Sequence, residues 1–363
     1  MNFFVLARMV ESEPGVIIRP IANAFGFLLS FLFDFVYMFG PAHSLGITII
    51  LMTIIFRLCV LPLNIRAQKS MKRMRALQPE LNKIEAKYGN SRDPEIMKKK
   101  NAEKQILLQK HDANPLKSCF PMLLQMPLFF GVNFIMRQAF LYINRLRDLY
   151  YDLAVAVQEV PNFTNLFLER HVQYLPNAML RNRDAAIEAF NRGMSIEAVR
   201  DYVGDIIDPN VPMDVARVLN CFSTESWYWL QESVPTTYWT AIAELNERRF
   251  AIESFLGLSM VERSGLVWPT IILPLLTVIT MFLAQWLSSA RMSDPNADEK
   301  TKMQQKIMIV VMPLMIGFFT ITLPGGVALF WITSQCFEII VSLIWNKKEG
   351  IKMRLPFSRQ EEI

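Results

Sequence analysis

One charge constrains this chain more than any other. Residues 45–63 form a nineteen-residue apolar run whose only charged residue is Arg57. A helix of about that length crosses a bilayer. Arginine near the centre of such a helix costs roughly 2.5–3.5 kcal/mol on insertion scales. A chain that accepts this cost usually turns the charge toward water, a partner or a substrate.

The run is not isolated. Of 363 residues, 52% are hydrophobic and 20% are charged, and mean hydropathy is +0.24. Ordinary soluble domains hold fewer apolar and more charged residues. Spans are expected at 45–63, 119–136, 266–288, 307–322 and 327–345, which makes the chain an all-α polytopic membrane protein. Residues 17–40 are apolar but interrupted by Arg19, Asn23, Ser30 and Asp34. They read as a helix lying in the interface, with a spanning segment as the alternative.

Other classes find little support. Cys59, Cys119, Cys221 and Cys336 give no disulfide framework, because only Cys221 lies in a long polar region. The three histidines lack metal-ligand spacing, and no phosphate-binding loop marks an ATP-driven pump. Residues 1–16 combine Arg8 with Glu11 and Glu13 and do not read as a cleavable signal.

The remaining segments divide by charge. Residues 66–117 carry 14 Lys and Arg. There Met71, Met74, Leu77, Leu81, Ile84 and Tyr88 recur at steps of three and four, a heptad-like stripe on one helix face. Gly89 to Pro94 then signals a turn, and Glu95 to about His111 a second helix. A helical hairpin standing off the membrane is expected. It could be a solvated face, or dock anionic lipid headgroups, RNA or acidic protein. Residues 141–265 hold 11 Arg, no Lys and 17 Asp and Glu, and read as a folded, mostly helical insert. The 289–306 loop and the 347–363 tail are basic. The positive-inside rule puts hairpin, loop and tail in the cytoplasm and the acidic insert outside.

The predicted boundaries are therefore an amino-terminal region 1–40, first span 41–65, hairpin 66–117, second span 118–140, insert 141–265, third span 266–288, loop 289–306, fourth span 307–322, fifth span 325–346 and tail 347–363.

Two further polar residues sit within these spans. Gln125 lies in the middle of the second, either as a hydrogen-bonding link between helices or lining a wet cavity with Arg57. Glu338 is the other charge well inside a span. Counted from Leu63 and Asn346, Arg57 and Glu338 lie at similar depth, roughly 10 Å at about 1.5 Å per residue. They either form an ion pair or snorkel separately to the interface.

Taken in order, Phe56-Arg57-Leu58 with Leu61-Pro62-Leu63, Gln78-Pro79-Glu80-Leu81, Gln125-Met126-Pro127, and Leu323-Pro324-Gly325-Gly326 with Leu329-Phe330-Trp331 resemble the YidC/Oxa membrane protein insertase family. The resemblance covers about 42–140 and 255–348. It implies five spans around a hydrophilic groove, with Arg57 as the groove charge and Gln125 and Trp331 among the lining residues. It further implies an insertase and chaperone of the bacterial plasma membrane, without covalent chemistry or cofactor. Its substrates would be nascent membrane proteins, received from ribosomes directly or beside the Sec translocon, with anionic lipids as further partners. The chain departs from the pattern in three ways. It lacks the large domain that Gram-negative members carry between the first two spans, so it is similar to the Gram-positive type. Its insert is longer than the short segment expected, and Glu338 corresponds to no hallmark of the family.

Two rival readings differ in kind. A secondary transporter binding a small anion at Arg57 is disfavoured, because no repeat relates the spans. A membrane-anchored scaffold would act through the insert.

Overall fold

A computed structural model describes residues 18–89, 93–111, 126, 129–163, 210–290, 303 and 307–348. In chain order its helices are α1 Ile18–Tyr37, α2 Ser44–Ala76, α3 Gln78–Tyr88, α4 Pro94–Lys110, α5 over 129–137, α6 Ala139–Tyr142, α7 Asn144–Gln158, α8 Pro212–Leu219, α9 Thr224–Ser233, α10 Thr236–Glu253, α11 Ile272–Ala290, α12 Met312–Thr320 and α13 Gly325–Lys348. A two-stranded hairpin pairs Ser254–Phe255 with Leu258–Ser259. The chain divides into two compact units. One comprises 1–52, 129–271 and 321–329; the other comprises 53–128, 272–320 and 330–363.

Among the described residues, three helices are long and apolar enough to cross a membrane: Ser44–Ser70, Ile272–Ser289 and Gly325–Lys348. Ile307–Thr320 and Asn23–Tyr37 are apolar but shorter. Residues 119–125, 127 and 128 of the expected second span lie outside the described residues. The expected third span, α11, starts at Ile272, six residues later than the expected 266. Gly265 takes φ +63°, and Pro269 disfavours helix at the residue before it. The fourth begins with a π-type turn, Ile307–Val311, just before Pro313. Proline has no N–H, so the Ile309 carbonyl loses its usual helical donor.

The first unit holds the insert. Helix α7 buries Leu146, Tyr150, Leu153, Ala154 and Val157, spaced to share one face, and packs on α8 and α10. Burying such side chains stabilises by about 1.5–3 kcal/mol each. Helix α1 packs against α6, and a side chain at Gly26 would strike Tyr142 at 2.2 Å. Asp34, which interrupts the apolar run of α1, meets Arg145 at 3.2 Å, and that guanidinium lies over Tyr37. Phe27, Phe31 and Phe35 recur every four residues and stay exposed. Such a face suits the acyl boundary of a bilayer.

The Leu323-Pro324-Gly325-Gly326 turn is a packing centre of this unit. Gly325 and Gly326 donate their N–H groups to the carbonyls of Glu262 and Met260, at 2.8 and 2.7 Å. Ser264 N–H returns a bond to the Leu323 carbonyl at 2.9 Å. A Cβ on Gly326 would sit 2.7 Å from Met136 Sδ and 3.0 Å from the Met260 carbonyl. The sulfur can move, but the backbone oxygen is held by the turn itself. Gly326→Val is therefore expected to destabilise by about 1–3 kcal/mol, the usual range for overpacking. The check is thermal unfolding of the purified protein in detergent, with an unchanged melting temperature as the contrary result.

The second unit contains α3 and α4. Leu77 and Ile84 of the expected stripe are buried, and Leu81 and Tyr88 are half-buried. Gly89 ends α3 at φ +58°, and the Asp93 side chain caps α4 by accepting from Glu95 N–H at 2.9 Å. Lys87–Glu103 at 3.0 Å and Glu85–Lys104 at 2.6 Å join the helices in antiparallel register. These exposed pairs contribute little, about 0.2–1 kcal/mol each. In this unit α11 and α12 approach closely where Gly317 faces Val278.

Candidate functional site

Arg57 belongs to the second unit, on α2. The helix does not stop near Leu63. It runs through Pro62 to Ala76, so Arg57 lies well inside it rather than six residues from its end. Polar residues share its face: Thr53, Arg57, Asn64 and Gln68 follow at steps of four, seven and four. Thr53 is fully buried; Arg57, Asn64 and Gln68 are half-buried.

Helix α13 carries a matching series. Ser334, Glu338, Ser342 and Asn346 recur every four residues, so one stripe of an otherwise apolar helix is polar. Ser334 and Ser342 are fully buried and Asn346 is 2% exposed. The opposite face is apolar and exposed, with Ile340 and Ile344 at 57% and 65%. A helix with this division presents hydrocarbon to lipid and dipoles to protein.

The two stripes meet. Gln68 Nε2 donates to Glu338 Oε1 at 3.2 Å. Lower on α13 the stripe turns to α11. Ser342 Oγ lies 3.4 Å from Ser288 Oγ, and Asn346 Nδ2 donates to the Leu287 carbonyl at 3.1 Å. Arg57 Nε, Ser334 Oγ and Asn346 Oδ1 are buried without a hydrogen-bond partner. An unsatisfied buried polar atom costs about 1–3 kcal/mol, and two of these three lie on the polar stripe of α13.

Of the residues expected at the site, Arg57 and Glu338 lie on the two stripes that Gln68 joins. Trp331 lies on α13 seven residues before Glu338, two turns up the same face, and is half-buried. Gln125 lies outside the described residues. Gln68 is not apparent from sequence, because its basic neighbours place it in the expected hairpin, whereas α2 continues through it. Ser334, Ser342 and Asn346, not among the residues expected at the site, have a spacing of four that sequence alone displays.

A second buried polar cluster occupies the first unit. Arg249 and Glu253, one turn apart on α10, form an ion pair that is 5% and 0% exposed at the side chains. Tyr150 Oη donates to Glu253 Oε1 at 2.8 Å, Arg249 Nε donates to Asn246 Oδ1 at 2.9 Å, and the guanidinium stacks over Trp227. Burial works to lower the Arg249 pKa, but Glu253 outweighs it and holds the group charged. This cluster ties α10 to α7 and α9.

Comparison with known proteins bears on both units. The family model described as 60Kd inner membrane protein matches residues 37–180 and 227–352. "Membrane protein insertase YidC" of Oceanobacillus iheyensis is 25% identical over 302 residues, covering 83% of this chain and 74% of that protein. "Membrane protein insertase MisCA" of Bacillus subtilis is 49% identical over 86 residues, 24% of this chain and 33% of that protein. A protein of Anaeromyxobacter dehalogenans, also named "Membrane protein insertase YidC", is 40% identical over 121 residues, 31% of this chain and 21% of its own length.

Proposed function

Because the chain belongs to the YidC/Oxa membrane protein insertase family, we propose that it takes up nascent membrane proteins and passes their apolar segments into lipid along the polar seam around Arg57. The observation that carries this reading is a buried guanidinium nitrogen without a partner, on a helix whose outer face is apolar. Water or a passing polar segment can satisfy it; lipid cannot.

The mechanism needs no covalent step. Arg57 attracts an acidic or polar residue of the segment to be translocated. Two unit charges at 4 Å attract by about 4 kcal/mol at an effective dielectric near 20. Ser334, Asn64 and Gln68 offer exchangeable hydrogen bonds along the same seam. The apolar segment that follows leaves the seam for lipid beside α11, α12 and α13. There Leu276, Phe318 and Ile344 already face outward. Hydrophobic burial of about 25 cal/mol per Å² favours that release. Such a device suits short translocated segments with few charges. Cooperation with the Sec translocon extends it to longer ones.

Five spans, with the second over 118–140 and Gln125 lining the seam, complete this arrangement. The basic hairpin, loop and tail lie in the cytoplasm of a bacterial cell by the positive-inside rule. The hairpin and tail meet the ribosome and anionic headgroups there, and the insert lies outside.

The test is reconstitution. Purified protein in liposomes containing anionic lipid receives a small membrane protein made by cell-free translation. Protease protection of the translocated tail, absent from protein-free liposomes, is expected without any Sec component. Equal protection in both kinds of liposome would contradict the proposal.

A further inference from the structure

The seam has two charges, not one. Glu338 lies in the same unit as Arg57, and Gln68, on the Arg57 face of α2, donates to its carboxylate at 3.2 Å. Arg57 and Glu338 together carry no net formal charge. Resting on the insertase reading, we propose that Glu338 sets the charge selectivity of the seam: it opposes uptake of strongly acidic tails and admits tails that carry a positive group.

The chemistry follows from the pair. A lone buried arginine attracts every acidic tail and holds it. With Glu338 nearby, an arriving carboxylate meets attraction from Arg57 and repulsion from Glu338. A single acidic residue next to a cationic group can satisfy both partners. Every translocated amino-terminal tail with a free end carries such a cation, its own α-ammonium group. The paired site therefore favours tails of mixed sign over tails of uniform negative charge. It also shortens the stay of an acidic tail, because Glu338 competes with it for Arg57. Gln68 is a positioning residue here. Its amide holds the Glu338 carboxylate on the α2 side, and it acts on selectivity only through that group.

The distance scale supports a measurable effect. At an effective dielectric near 20, two unit charges about 12 Å apart still interact by an amount equal to roughly tenfold in an equilibrium constant. Removing the Glu338 charge should change selectivity by about that factor.

The experiment uses full-length protein in liposomes and one client with three tails, equal in length, bearing net charges of minus two, zero and plus one. Tails are scored by protease protection, and the neutral tail serves as internal reference for each variant. In Glu338→Gln the ratio of acidic to neutral insertion is expected to rise about tenfold, and the ratio of cationic to neutral to fall. Gln68→Leu should shift both ratios the same way by a smaller factor. Gln68→Glu, which places a second carboxylate beside the first, should move them in the opposite direction. Unchanged ratios in Glu338→Gln, with the neutral tail still inserted, would overturn this proposal and leave the insertase reading intact. Failure of the unsubstituted protein to insert any of the three tails would instead overturn the insertase reading itself.

Discussion

Replacing Arg57 by alanine is expected to lower insertion of clients with acidic translocated tails by about tenfold or more, while lysine retains most of it. Attraction of about 4 kcal/mol at contact distance sets the ceiling, and solvent in the seam reduces what is realised. Lysine keeps the charge on a flexible stem and loses the planar fork. If charge is what the seam supplies, Lys and Arg should therefore resemble each other and both differ from Ala. The measurement is pulse-labelled insertion in cells depleted of their own insertase, with expression levels matched by immunoblot. Equal insertion by all three forms would remove Arg57 from the mechanism. A lysine form as poor as alanine would show that guanidinium geometry matters more than charge.

The second large effect lies in the insert and is one of stability. Glu253→Ala should destabilise the first unit by about 3–5 kcal/mol, the usual cost of removing one partner of a buried ion pair. It leaves the Arg249 guanidinium, already stacked on Trp227, without its carboxylate, and it strips Tyr150 of its acceptor. Glu244→Ala is the matched control. Glu244 also sits four residues from an arginine, Arg248, but that pair is 66% and 64% exposed. An exposed pair of this kind contributes about 0.3–0.5 kcal/mol. Chemical unfolding in detergent, followed by near-ultraviolet circular dichroism, should separate the two substitutions clearly. Similar midpoints for both would mean that the buried cluster is not what holds α10 to α7.

That pair of glutamates also marks the limit of what sequence makes legible. Glu244–Arg248 and Arg249–Glu253 have the same spacing on the same helix. Only the packing of α7 and α9 decides which one is buried, and that packing is non-local. Arg57 was legible because a charge inside an apolar run has a cost visible from composition alone. The part of the stripe from Leu77 to Tyr88 was legible because its period matches a helix, whereas Met71 and Met74 fall on α2. The start of α11 was not, because apolar residues 266–271 resemble a span until Gly265 and Pro269 are seen to hold them out of helix. Gln68 was obscured by the basic residues around it, which suggested hairpin where α2 in fact continues.

The Pro-Gly-Gly turn carries a related lesson. As sequence it is a break between two spans. In the folded unit it is gripped by the segment 260–265, which closes the insert. The His43 N–H, at the start of α2, likewise donates to the Ala251 carbonyl at 2.8 Å, and a Cβ on Gly46 would meet Phe255. The carboxyl-terminal part of the insert is thus packed into the ends of the spans. Removing the whole of 141–265 would remove the partners of the turn as well.

The central claim is that a nascent chain travels along the polar seam of α2 and α13. Photocrosslinking residues placed singly at Gln68 and Ser334, with Ile340 and Phe318 as outward-facing references, test it most directly against a ribosome-stalled membrane protein. At an early chain length, adducts are expected at Gln68 and Ser334 and not at the reference positions. At a longer length they should shift toward Ile340 and Phe318 as the apolar segment enters lipid. Adducts confined to the outward-facing positions at every chain length would contradict the claim.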